Sequence, residues 1–126
     1  MKMRKHTSAF TLIELVMVIV ILGILAAVAV PRFFNLSNRA NVSAEQGVVG
    51  GVRAGIQTYM ANHTTNAWPS PLDSASNAAC TPANACFTNV LSQGGITDDW
   101  TKVSATQYTG PAGNTFTYTP GTGNFN

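Results

Sequence analysis

The sequence predicts an α+β fold: a long N-terminal α-helix, apolar in its first half and amphipathic in its second, packed on a small antiparallel β-sheet head. Three observations carry this reading. Residues 10–30 are apolar apart from Thr11 and Glu14. Beyond them, apolar residues recur at spacings of three and four. The last third is rich in Thr, Gly and Asn, and within it Thr115-Phe116-Thr117-Tyr118-Thr119 alternates with the period of a half-buried strand. With 126 residues there is room for one domain with a modest core. The chain divides into a short basic segment over residues 1–9, a membrane-type helix over 10–31, an amphipathic helix over 32–63, and a head over 64–126.

The N-terminus accounts for the formal charge of +2. Lys2, Arg4 and Lys5 fall in residues 1–9, whereas the rest sets four basic residues (Arg32, Arg39, Arg53, Lys102) against five acidic ones (Glu14, Glu45, Asp73, Asp98, Asp99). A basic flank before an apolar run is an insertion or targeting pattern, and without a clustered basic face no nucleic-acid partner is expected. The run of 21 residues would span about 31 Å as a helix, the thickness of a bilayer's hydrocarbon core. The basic flank should stay cytoplasmic, with the C-terminal part outside. Fourteen of its residues are Leu, Ile, Val or Phe. Together they favour insertion by roughly 4 to 8 kcal/mol, against about 3 for Glu14 at the bilayer centre and less near its edge.

From these residues alone three readings stay open. A secretory signal peptide would be cut near Ala27-Val28-Ala29, although such peptides usually have apolar cores of about 7–15 residues. A plain membrane anchor explains the length but not Glu14. A helix that assembles with partners explains both, because an ionisable group in lipid calls for a neutralising partner.

Ala9-Phe10-Thr11-Leu12-Ile13-Glu14-Leu15, followed by Val16-Met17-Val18-Ile19-Val20-Ile21-Leu22-Gly23-Ile24-Leu25-Ala26-Ala27-Val28-Ala29-Val30-Pro31, resembles the processing and methylation motif of type IV prepilins and type II secretion pseudopilins. Pro31-Arg32-Phe33-Phe34-Asn35-Leu36 adds a likeness to the pilin of the mannose-sensitive haemagglutinin class. The resemblance covers residues 1–36. It implies removal of residues 1–9 by a prepilin peptidase cutting between Ala9 and Phe10, and N-methylation of Phe10. It further implies that Glu14 is the assembly residue and Pro31 the residue that closes the apolar stretch. An inner-membrane assembly platform and other copies of the chain, in a helical filament, are the partners it implies. Ala9 departs from the family's usual Gly before the cut, which bears on processing efficiency.

Pro31 lacks an N–H and restricts the residue before it, which predicts a kink or local loosening. Beyond it, Phe33, Leu36, Ala40, Val48, Val52, Ile56, Tyr59 and Met60 mark one amphipathic face, interrupted near Ala44 and ending around His63. A helix from Phe10 to His63 is the result. Gly47, Gly50, Gly51 and Gly55 each weaken it by about 1 kcal/mol relative to Ala. They permit close approach of a sheet or a neighbouring subunit, or else mark a locally broken helix. His63 reads as solvent-facing.

Residues 64–100 read as irregular, with Trp68, Phe87 and Leu91 as candidate core. Cys80 and Cys86, the two cysteines, lie beyond the membrane segment and can pair in an oxidising compartment; two unpaired small apolar residues are the alternative. In the β region, Phe116 and Tyr118 should share the inner face, with Asn124-Phe125 returning after Pro120-Gly121-Thr122-Gly123 and residues 103–108 as a partner strand.

No catalytic constellation is evident, and neither a cofactor nor a metal is expected. Asp98-Asp99 is a weak signal for calcium, which takes about six to eight oxygens, and reads as a solvated turn. Three functions follow. The first is a type IV pilus subunit, inserted in the bacterial inner membrane and then polymerised into an extracellular fibre for adhesion or motility. The second is a type II secretion pseudopilin in a periplasmic fibre for protein export. The third is a secreted or membrane-anchored binding protein.

Overall fold

The computed structural model describes residues 2–4 and 8–126, so that Lys5 of the basic segment lies outside the described residues. The chain forms one helix, α1 (Leu12–Asn62), followed by β1 (Thr101–Lys102), β2 (Gln107–Thr109), β3 (Thr115–Thr119) and β4 (Asn124–Phe125). This is the expected α+β arrangement.

Helix α1 begins two residues later than Phe10 because Thr11 caps it. The Thr11 hydroxyl accepts from the Glu14 N–H at 3.4 Å, while the Glu14 carboxylate accepts from the Thr11 N–H at 2.9 Å. This reciprocal arrangement is a capping box, which satisfies donors that a helix start otherwise leaves unpaired. Pro31 lies inside α1, and the helix is assigned on both sides of it. At the other end the turn closes with the His63 N–H donating to Tyr59 O at 3.2 Å, one residue beyond Asn62.

By internal contacts the chain forms two units, Met1–Ser37 and Asn38–Asn126. In the first, the side chains from Leu12 to Val30 are all exposed. None of the described residues of this unit covers them.

The second unit holds a core. Glu45, Val49, Val52 and Ile56 are the buried residues of α1, spaced four, three and four apart as one helical face requires. Val48, expected on this face, is only partly buried and packs at its margin. Against the face lie Leu72, Phe87, Tyr108, Tyr118 and Phe125, all nearly inaccessible. Phe87 sits at the centre of the aromatic cluster, 4.3 Å from Tyr108 and 5.6 Å from Trp100 between ring centroids. Trp68 and Leu91 pack on the cluster from its edge.

The sheet is antiparallel in the order β1-β2-β3-β4. In β3, Phe116 and Tyr118 point inward and the three threonines outward, as the alternation predicts. β4 pairs with β3 through Tyr118 opposite Phe125. The strand expected over residues 103–108 is strand only at Gln107 and Tyr108, within β2; residues 103–106 form instead the turn that joins β1 to β2, in which Val103 N–H donates to Gln107 O at 2.8 Å. Its alternation is poor because four of those residues make this turn.

Helix glycines differ in their surroundings. A Cβ on Gly55 would collide with the Val90 carbonyl, so Gly55 admits the backbone of residues 87–91 against α1, whereas Gly47 and Gly50 face open space. Close approach at Gly55 is thus made by a loop and not by the sheet.

Candidate functional site

Ala9, Phe10 and Glu14 form a compact group at the start of α1. All three are exposed, Phe10 at 87% of its accessible surface. The peptide bond between Ala9 and Phe10 lies in non-helical chain just before the capped helix. The Glu14 carboxylate is occupied locally, by the Thr11 backbone. Here the Thr-x-x-Glu spacing is a capping signature legible in the sequence, and the periodicity reading passed over it. Cleavage before Phe10 would leave a protonated amine one turn from this carboxylate, in a segment where low dielectric strengthens charge attraction.

Past Glu14, α1 is long and apolar enough to cross a membrane, with its most apolar window wholly exposed. Phe33, Phe34 and Leu36 continue the exposed apolar surface beyond Pro31. Glu14 is the one charged residue from Phe10 to Pro31.

The head is tied down by two polar arrangements that the sequence reading missed. Glu45 is fully buried. Its carboxylate accepts from Ala112 N–H at 3.0 Å and from the Asn114 amide at 2.6 Å, clasping the β2–β3 turn to α1. Gly110 makes room for it, since a Cβ there would lie 2.5 Å from the carboxylate oxygen. A signal existed, because Glu45 stands in the same period as Val49, Val52 and Ile56.

Asp73 and Lys102 form a buried ion pair at 2.5 Å, with side chains 0% and 5% exposed. Asp73 also accepts from Phe87 N–H at 2.7 Å and Tyr108 OH at 2.9 Å, and Lys102 donates to Ala75 O at 2.9 Å. Both oxygens of Asp73 thereby find partners and the Lys102 ammonium has two acceptors, as charges removed from water require. Burial first, and then the negative charge and hydrogen bond of Asp73, push the Tyr108 phenol well above its ordinary range. Burial likewise raises Tyr118, with a smaller contribution from Tyr59. Residues 73 and 102 are 29 positions apart, and no local pattern connects them.

Cys80 and Cys86 form a disulfide with a Cα separation of 5.5 Å. Backbone bonds between Cys86 and Ile96, and from Cys80 N–H to Trp100 O, fasten this loop to the following segment. His63 is exposed and stacks on Tyr59 at 3.8 Å. Asp98 and Asp99 are exposed, with Asp99 N–H donating to Asp98 Oδ1 at 2.9 Å. Among the described residues no three His, Cys, Asp or Glu side chains are grouped to hold a metal.

Residues 4–30 match the family model described as the prokaryotic N-terminal methylation motif. A fimbrial protein of Neisseria meningitidis is 44% identical over 74 residues, which cover 59% of this chain and 42% of that protein. The type II secretion system core protein G of Pseudomonas aeruginosa is 41% identical over 56 residues, covering 44% of this chain and 39% of that protein. A type IV narrow pilus major component of Thermus thermophilus is 49% identical over 49 residues, covering 39% and 42% respectively. The chain therefore spans about two fifths of the length of each of these relatives. No solved structure matches it significantly.

Proposed function

We propose, for a chain that carries the N-terminal segment of the type IV pilin and type II secretion pseudopilin family, a structural role as a pilus subunit and no catalytic one. The precursor inserts with its basic flank at the cytoplasmic face. A prepilin peptidase then cuts between Ala9 and Phe10 and the new amino group of Phe10 is methylated. An inner-membrane assembly platform passes the subunit into a helical filament outside the cell.

One observation carries this reading: an apolar helix that no described residue of its own unit covers, interrupted by one carboxylate. Leaving the bilayer without unfolding requires a new apolar surround, and copies of the same helix supply it. Inside such a bundle Glu14 would lie in low dielectric, where an unpaired charge is costly. The amine of Phe10 on a neighbour displaced by about one helical turn neutralises it. Pro31 separates the membrane part from the part that holds the head.

The test is the composition of sheared surface fibres. Their main subunit should begin at N-methylated Phe10, by intact mass and N-terminal sequencing. A mature start at Val30, with no fibres, contradicts the proposal and returns the chain to a secreted or anchored binding protein.

A pseudopilin in a periplasmic fibre is the second reading, favoured by the 41% identity to core protein G. Fibres confined to the periplasm, together with loss of protein export on deletion, would select it.

A further inference from the structure

The second unit exposes opposite charges on opposite sides of α1: Arg39 on the helix itself, and Asp98 and Asp99 on a loop beside it. Arg39 is exposed, with Leu36 exposed beside it one turn earlier. Asp98 and Asp99 are exposed too, and they line a cleft with Ala44 and Val48 of α1. At 3.6 residues per turn, Ala44 lies about 140° and Val48 about 180° around the helix from Arg39. Within one chain, the basic and acidic groups therefore face apart.

The remaining charges of the head are engaged. Asp73 is paired with Lys102, Glu45 is buried in hydrogen bonds, and Arg53 donates to Phe125 O at 2.9 Å. Among the described residues Asp73–Lys102 is the one ion pair. Arg39, Asp98 and Asp99 thus remain as exposed, complementary charges on two faces of the same unit. A basic face on one side and an acidic face on the other is a heterologous pair of surfaces, the kind that builds an open helical array and not a closed dimer.

Register favours the same conclusion. Ala44 and Val48 lie five and nine residues beyond Arg39, about 7 to 14 Å along the helix. A neighbour displaced outward by that amount brings its Arg39 level with Asp98 and Asp99. Glu14 lies four residues beyond Phe10, so pairing with a neighbour's amine asks for a displacement of about 6 Å in the same outward direction. The long Arg side chain covers the difference. Arg32 is out of reach of that neighbour, because it lies twelve to sixteen residues, about 18 to 24 Å, before Ala44 and Val48.

We infer that Arg39 of one subunit pairs with Asp98 and Asp99 of the adjacent copy, a second register mark in addition to the one at Glu14. This rests on the filament reading above. Exposed ion pairs add little affinity, so the contact selects the stagger and rejects wrong ones by like-charge repulsion.

The experiment uses the full chain in cells that assemble it, with filaments sheared and weighed. Arg39→Asp, and separately the double change Asp98→Arg with Asp99→Arg, should each lower filament yield at least fivefold. The three changes together should restore it to within twofold. Filaments of a variant with Arg39→Cys and Asp98→Cys should give a ladder of oligomers with a short bismaleimide, and neither single variant should. Wild-type filaments accompanied by no ladder and no rescue overturn this inference alone. So do filaments that require calcium at Asp98 and Asp99 and ignore Arg39. A wild-type chain that makes no filaments overturns the filament reading, and this inference with it.

Discussion

The two units of this chain treat their apolar surface in opposite ways. From Leu12 to Val30 the helix exposes every side chain, while the head encloses Val52, Ile56, Leu72 and Phe87 with no measurable exposure. Polar groups differ in the same sense. Glu45 and Asp73 in the head have their partners within the chain, whereas Glu14 in the rod has only the first backbone donor of its own helix. A surface of the first kind is finished by lipid or by other molecules, and one of the second kind is finished by folding. Changes to the buried groups of the head should therefore be read out as stability, and changes to the rod as assembly.

The largest loss of head stability should come from Lys102→Met, which leaves Asp73 charged and buried. Removing one partner of such a pair costs about 3 to 5 kcal/mol, and urea unfolding of the detergent-solubilised chain would measure it. Membrane insertion of this variant should be unchanged. Glu45→Ala should follow at about 2 to 3 kcal/mol, because it orphans the Ala112 N–H and the Asn114 amide. Replacing Cys80 and Cys86 by serine opens a loop of seven residues and should cost about 2 kcal/mol.

Alkaline titration sharpens the contrast further. Burial and Asp73 raise the Tyr108 pKa above the ordinary phenol value of about 10. The fold therefore prefers the neutral phenol, and its contribution is intact below that value and lost as pH rises beyond it. By pH 11 the loss from Tyr108 should reach about 1.4 kcal/mol, and Tyr108→Phe should remove that part of the slope, leaving the part due to Tyr118. The smallest effect has the opposite sign. Gly47→Ala faces open space and should stabilise the helix by up to about 1 kcal/mol, whereas Gly55→Ala should destabilise by driving Val90 away. A gain at both positions would show that residues 87–91 do not press on α1.

How much of this was legible in the sequence depended on range. The rod could be read directly, because insertion rests on composition over twenty successive residues. β3 was equally clear, since Thr115 to Thr119 alternate without a break. The disulfide followed from compartment and spacing. What escaped were groups whose meaning comes from distant partners. The apolar face looked interrupted near Ala44, where Glu45 stands, because the groups that donate to Glu45, Ala112 N–H and the Asn114 amide, lie 67 and 69 residues away. Asp73 and Lys102 entered the sequence reading only as members of a charge count, for the same reason. The helix start was misplaced by two residues because Thr11 and Glu14 cap each other, a local signal that the apolar period conceals.

Glu14→Ala measures the central claim most directly, with insertion, head stability and filament yield read from the same cells. The variant should insert, fold its head with an unchanged unfolding midpoint, and produce no filaments. Filaments at the wild-type yield would mean that the one acid of the rod has no part in assembling it.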